Sequence, residues 1–160
     1  MSTKTINFGD ECRCIITGFE GVVTAKFFAL HSSNRVTLQP PVNKEGKIPD
    51  PYDFDTTQVK VIKAGKVKPP EVDVVEHDIV LGDEVQDPVT GHKGIAVGRM
   101  DFMNGCIKIG VQAVVDKDKK VPDSEWFPAQ RLKITKSQKH KLVDKTERTP
   151  GGPITKSMRF

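Results

Sequence analysis

The chain has 160 residues, 36% of them hydrophobic and 29% charged, which is enough apolar content for one ordinary domain or two small ones. No run approaches the roughly 18 apolar residues of a membrane span, and the opening MSTKTINFGD lacks the apolar core of a signal peptide, so the sequence predicts a protein made in a cytoplasm without a membrane partner. The net charge of +4 is uneven: residues 136–160 hold seven basic and two acidic residues, leaving −1 on the rest, which argues against a basic nucleic-acid face on the body.

In chain order, the segments ECRCII, GVVTAKFFAL, NRVTLQPPV and TQVKVI are short, rich in β-branched and aromatic residues, and bounded by Gly, Pro, Asn or Asp. That pattern predicts strands. TGFEG places Gly18 where a tight turn needs positive φ. Gly21 then opens the next strand, where backbone can approach a neighbour closely. NKEGK reads as a charged hairpin tip, and Phe54 as the plug of a small core. From Gly65, GKVKPPEVDVVEHD reads as a linker stiffened by Pro69-Pro70, with VDVV a candidate extra edge strand.

The pattern then returns. Shifted by 73 residues without a gap, Gly9, Asp10 and Glu11 fall on Gly82, Asp83 and Glu84, and Thr17, Gly18 and Gly21 on Thr90, Gly91 and Gly94. Gln39, Val42, Pro49, Asp50, Phe54 and Lys60 fall on Gln112, Val115, Pro122, Asp123, Phe127 and Lys133. Roughly a quarter of about 56 aligned positions are identical, at a period too long for a solenoid. DEVQDPV, GIAVGRMDF, CIKIGVQAVV and QRLKIT are the second set of strands, and DKDKK is the second charged tip. Strands joined by one tight turn and one long hairpin make a small curved barrel. The expected fold is therefore all-β, with two tandem SH3-like small β-barrels. The first spans 1–64, a linker 65–78, the second 79–135, and an extended basic C-terminal arm 136–160.

A search for chemistry finds no catalytic constellation, no phosphate loop and no metalloprotease motif. The predictions are no enzyme, no cofactor and no metal. DKDKK only loosely resembles a calcium loop, lacking its sixth-position Gly and closing Glu. Asp10-Glu11 and Asp83-Glu84 recur at one barrel position, which suggests a structural role. His92, in place of Phe19, reads as a turn-surface residue. Cys12 and Cys14 share one face of a strand, and with Cys106 they are read as buried thiols or as candidates for an inter-subunit disulfide. Trp126 beside Glu125 is either a lid on the second barrel or a contact point. The arm carries Pro150-Gly151-Gly152-Pro153, which forbids regular structure. Its end, ITKSMRF, places Ile154, Met158 and Phe160 among Lys156 and Arg159. That spacing suits an arm that docks on a protein partner; the other readings are an electrostatic nucleic-acid anchor and a solubilising tail.

The second repeat resembles small proteins encoded among the structural genes of tailed bacteriophages. The resemblance rests on Gly82, Asp83, Val85, Asp87, Val89, Thr90, Gly91, Gly94, Ile95, Gly98, Arg99, Asn104, Gly105, Cys106, Pro122, Asp123, Trp126 and Phe127. The first repeat follows it in outline only, with Cys14 in place of the Asp. The resemblance implies a non-enzymatic virion protein made in the host cytoplasm, most simply a capsid decoration protein. It would bind major capsid or tail protein as an oligomer or on a lattice; the residues themselves offer the charged hairpin tips, Trp126 and Glu125 as contact points, together with the arm, which like the linker lies outside the resemblance. A tail- or neck-associated protein is the alternative, as is a KOW- or Tudor-like nucleic-acid module. The near-neutral body, with one Trp and one Tyr, disfavours that last reading because stacking platforms need exposed aromatics in a basic groove.

Overall fold

The computed structural model describes residues 5–73 and 76–139. Ten strands follow in chain order: β1 (Glu11–Cys14), β2 (Glu20–Ala29), β3 (Arg35–Gln39), β4 (Tyr52–Asp55), β5 (Val59–Lys63), β6 (Glu84–Gln86), β7 (Lys93–Phe102), β8 (Ile107–Gln112), β9 (Glu125–Pro128) and β10 (Lys133–Lys136). Short 3-10 turns, Thr56–Gln58 and Ala129–Arg131, precede β5 and β10. The protein is thus all-β. The 73-residue shift carries β2 onto β7, β4 onto β9 and one 3-10 turn onto the other, residue for residue. Even the irregularities recur. β2 bulges against β3 between Val23 and Ala25, and β7 bulges against β8 between Ala96 and Gly98.

Alternating burial along β2 and β7 points one face of each half inward, as a half-buried strand requires. Cys12, Val23, Val36, Leu38 and Val59 form the first core, with Phe8, Phe19 and Phe54 packed against it. Val85, Ile109, Val111, Phe127 and Leu132 anchor the second. His92, expected on the turn surface, is instead half-buried, 5.6 Å from the Phe127 ring, because an imidazole there covers the core end as Phe19 does in the first half.

Separately closed barrels are not what the hydrogen bonding shows. All ten strands belong to one antiparallel sheet that does not close: among the described residues, β4 pairs only with β3, β5 with β1, β9 with β8 and β10 with β6. The 3-10 turns swing the chain off β4 and β9 before β5 and β10 begin, which interrupts the ladder there. In addition, β2 and β7 outrun their first partners, leaving an unpaired edge on each, and open edges seek partners. They pair with each other. Ala25 lies opposite Phe102, Phe27 opposite Met100 and Ala29 opposite Gly98.

That register is self-complementary. Residue 27 meets its own repeat equivalent, 100, while 25 and 29 meet the equivalents of 29 and 25. Two flanking bonds obey the same exchange: Leu30 N donates to Val97 O at 2.9 Å, and Met103 N to Thr24 O at 2.8 Å. The halves are joined as an isologous pair within one chain. Trp126 reinforces the seam. It lies over Gly98 and Gly110, where a Cβ would come within 3.0 Å of its ring, and its centroid is 5.7 Å from that of Phe27 in the other half. The first half has Asp53 at that position, bonded by Thr37 Oγ1 at 2.6 Å. The linker is not an extra edge strand at Val72 or Asp73; residues 74 and 75 of that segment lie outside the described residues.

Candidate partner-binding surfaces

In each half, the tight turn before the long strand and the loop after the third strand lie at the same end of the sheet. In the first half these are residues 15–19 and 40–51, and in the second 88–92 and 113–124. β2 and β7 run antiparallel through the seam, so the two ends form opposite poles of the molecule.

Both poles are held by the same devices. At the loop base, Gln39 Nε2 donates to Pro49 O at 2.8 Å, and Gln112 Nε2 donates to Pro122 O, with Ser124 Oγ donating to Gln112 Oε1 at 2.8 Å. At the tip, Asn43 Oδ1 accepts from the N–H groups of Glu45 and Lys47, and Asp116 Oδ1 from those of Asp118 and Lys120. These are Asx turns. The left-handed residue each needs is Gly46 in one and Lys119, at φ 58°, in the other. The Asp116 carboxylate is thereby engaged in the turn itself.

The tight turns are pinned from below. Cys14 Sγ accepts from Thr17 N at 3.5 Å. Its counterpart Asp87, fully buried, accepts from Val89 N, Thr90 N and Thr90 Oγ1, and takes a two-pronged bond from Arg131 at 2.7 Å on each oxygen. The Arg131 guanidinium holds the Asp87 carboxyl well below the usual carboxylate range. Bonds from Lys139, Thr135 and Lys93 pull Glu84 down to about 2. A depressed folded-state pKa stabilises the fold above the unfolded value, about 4, and that stability is lost as pH falls through the folded value. The second half is therefore expected to open first on acidification between about pH 4 and pH 2. Trp126 fluorescence against pH reads this directly. Asp87→Asn is expected to be less stable than the parent at pH 7, with the gap narrowing toward pH 2.

Of the sequence-predicted site residues, Trp126 sits on the seam with its outer face open, and Glu125 is exposed beside it. Ile154, Lys156, Met158, Arg159 and Phe160 lie outside the described residues. Cys12, Cys14 and Cys106 are free thiols, the first two fully buried in the first half. Burial, with the nearby Asp10 charge, pushes the Cys12 thiol up to about 11, whereas the Thr17 bonds lower Cys14. Access decides their reactivity, since a disulfide reagent must reach the sulfur. One thiol, Cys106, is expected to react promptly with a chromogenic disulfide in the native protein, and the other two only on unfolding. Two or three prompt thiols would contradict this packing.

Sequence reasoning missed the pole loops as built frames, although Gln39/Gln112 and Asn43/Asp116 were visible at equivalent positions. It also missed Arg131, whose partner Asp87 is distant in sequence. No family model, curated protein or solved structure matches this chain.

Proposed function

We propose that this chain is a non-enzymatic virion protein of a tailed bacteriophage, a capsid decoration protein built on two SH3-like barrel units that reinforces a lattice of major capsid protein. The observation that carries this reading is the duplicated architecture: one unit appears twice, joined back to back, with a preorganised loop frame at each pole. Preorganised loops bind with little ordering cost, and repeated weak contacts on a shell sum by avidity. The residue pattern around Gly82, Thr90, Cys106 and Trp126 supports the phage assignment by resemblance. The body outside the basic C-terminal segment carries a net charge of −1, which supports a protein partner over nucleic acid.

The test is co-sedimentation with purified heads and, separately, tails of the encoding phage, with nuclease present. Full-length chain and a version ending at Lys139, which keeps the Gln138 and Lys139 bonds to Asp83 and Glu84, are compared. The expected result is nuclease-resistant binding to heads, weakened by removal of the arm. Binding to tails alone moves the protein to the tail or neck, and binding abolished by nuclease replaces this reading with a nucleic-acid module.

A further inference from the structure

Single exposed apolar residues on a protein surface are ordinary. What needs a cause here is their recurrence. Ile16 and its equivalent Val89 are 73% and 74% exposed, Val42 and Val115 61% and 52%, Ile48 and Val121 74% and 73%. Of the other exposed apolar side chains, Ile15 is matched by Pro88, Tyr52 by Glu125 and Val114 by Pro41, while Ile134 is matched by Val61, which packs against the first core and is not exposed. The two halves have diverged at about three quarters of their positions, so nothing in the fold obliges exposed sites to keep aliphatic side chains. All three recurrent pairs belong to the pole turns and loops. Each pole thus presents three outward aliphatic side chains on a frame fixed by an Asx turn and a glutamine clamp.

The charge around them selects the partner. Residues 40–51 hold two basic and two acidic side chains, and residues 113–124 three of each, so both loops are neutral. A neutral loop offers nothing to a polyanion. It suits an apolar patch on another protein, where aliphatic side chains gain by leaving water.

The internal two-fold then sets the geometry. Counted along the antiparallel β2–β7 register, Glu20 and Lys93 are 14 residues apart, so at about 3.3 Å per residue the two strand starts are separated by about 46 Å of strand, with the pole loops beyond them. Two like surfaces, oppositely directed and rigidly joined, match two like sites. We propose that the poles are equivalent docking sites, so that one chain bridges two copies of the same partner protein, each presenting an apolar patch. This rests on the particle-binding reading and specifies its stoichiometry and partner chemistry.

The experiment compares four full-length chains on purified phage heads: the parent, Ile16→Ser/Val42→Ser/Ile48→Ser, Val89→Ser/Val115→Ser/Val121→Ser, and all six changes together. Exposed aliphatic-to-serine changes leave packing intact, and a thermal melt checks that each chain folds. The expected result is that either single-pole variant binds about a hundredfold more weakly, by a similar factor, because avidity is lost. Each should also saturate at twice the parent's copy number, since a chain with one working pole occupies one site instead of two. The six-site variant loses saturable binding. If one pole can be altered without effect, or if the parent and single-pole variants saturate at equal copy number, the bridging inference falls while particle binding stands. If the parent itself does not bind heads, both fall.

Discussion

Gly94→Ala is expected to destabilise the protein by about 3 kcal/mol, at the upper end of overpacking costs. A Cβ at Gly94 would lie 2.3 Å from Gln112 O and 2.6 Å from Gln112 C. Both are backbone atoms of the paired strand β8, so no side-chain rotation relieves the clash, and β8 itself must move. Gln112 also clamps the base of the second pole loop, so the disturbance spreads to that pole. Gly21→Ala meets Gln39 backbone at 2.8 Å and is expected to cost less. Gly18→Ala and Gly91→Ala meet nothing within 4 Å but sit at φ +77° and +81°, where a side chain costs about 1 kcal/mol. Urea-unfolding midpoints should therefore order as parent, then the two turn variants, then Gly21→Ala, then Gly94→Ala. A Gly94→Ala midpoint at or above those of the turn variants would show that β7 and β8 do not approach this closely.

The same glycines explain what was legible in the sequence. Gly18, Gly21, Gly91 and Gly94 hold positions that other residues fill poorly, so they persist in both copies and expose the 73-residue shift. The seam was not legible. KFFAL and RMDFM read as ordinary strand ends, and the pairing between them is encoded in the excess length of β2 and β7 over β1 and β6, which matters only once a partner edge exists. β4 and β9 were missed as strands because Asp53, Asp55 and Pro128 lower their β-propensity; their pairing to β3 and β8 overrides it. The pole loops announced themselves by charge. Their recurrent aliphatic side chains were visible only as repeat matches, because sequence does not tell an exposed valine from a buried one.

Asp83→Ala is expected to cost about 3 kcal/mol, because it removes two charge-assisted hydrogen bonds at once. The carboxylate accepts from Val80 N at 2.8 Å and from Gln138 N at 2.6 Å, while the side chain is almost wholly buried. Asp10 does the same in the first half, accepting from Asn7 N at 2.9 Å and Gly65 N at 2.8 Å. In each unit one buried acid ties the chain just before the first strand to the chain just after the last, across 55 residues of sequence. Removing it leaves two backbone N–H groups without an acceptor, a penalty larger than the loss of the bonds alone. Hydrogen exchange should show the Val80 and Gln138 amides losing protection in Asp83→Ala. Asp83→Asn is expected to fall between, since its one remaining carbonyl oxygen can keep one of the two bonds. Unchanged protection at both amides would mean that water replaces the carboxylate without cost. The tie has a functional consequence as well. Gln138 lies near the start of the basic segment 136–160. Asp83→Ala should therefore weaken head binding toward the level of the chain ending at Lys139 while leaving the response to pole substitutions intact. Loss of that response would instead place Asp83 in the support of the second pole.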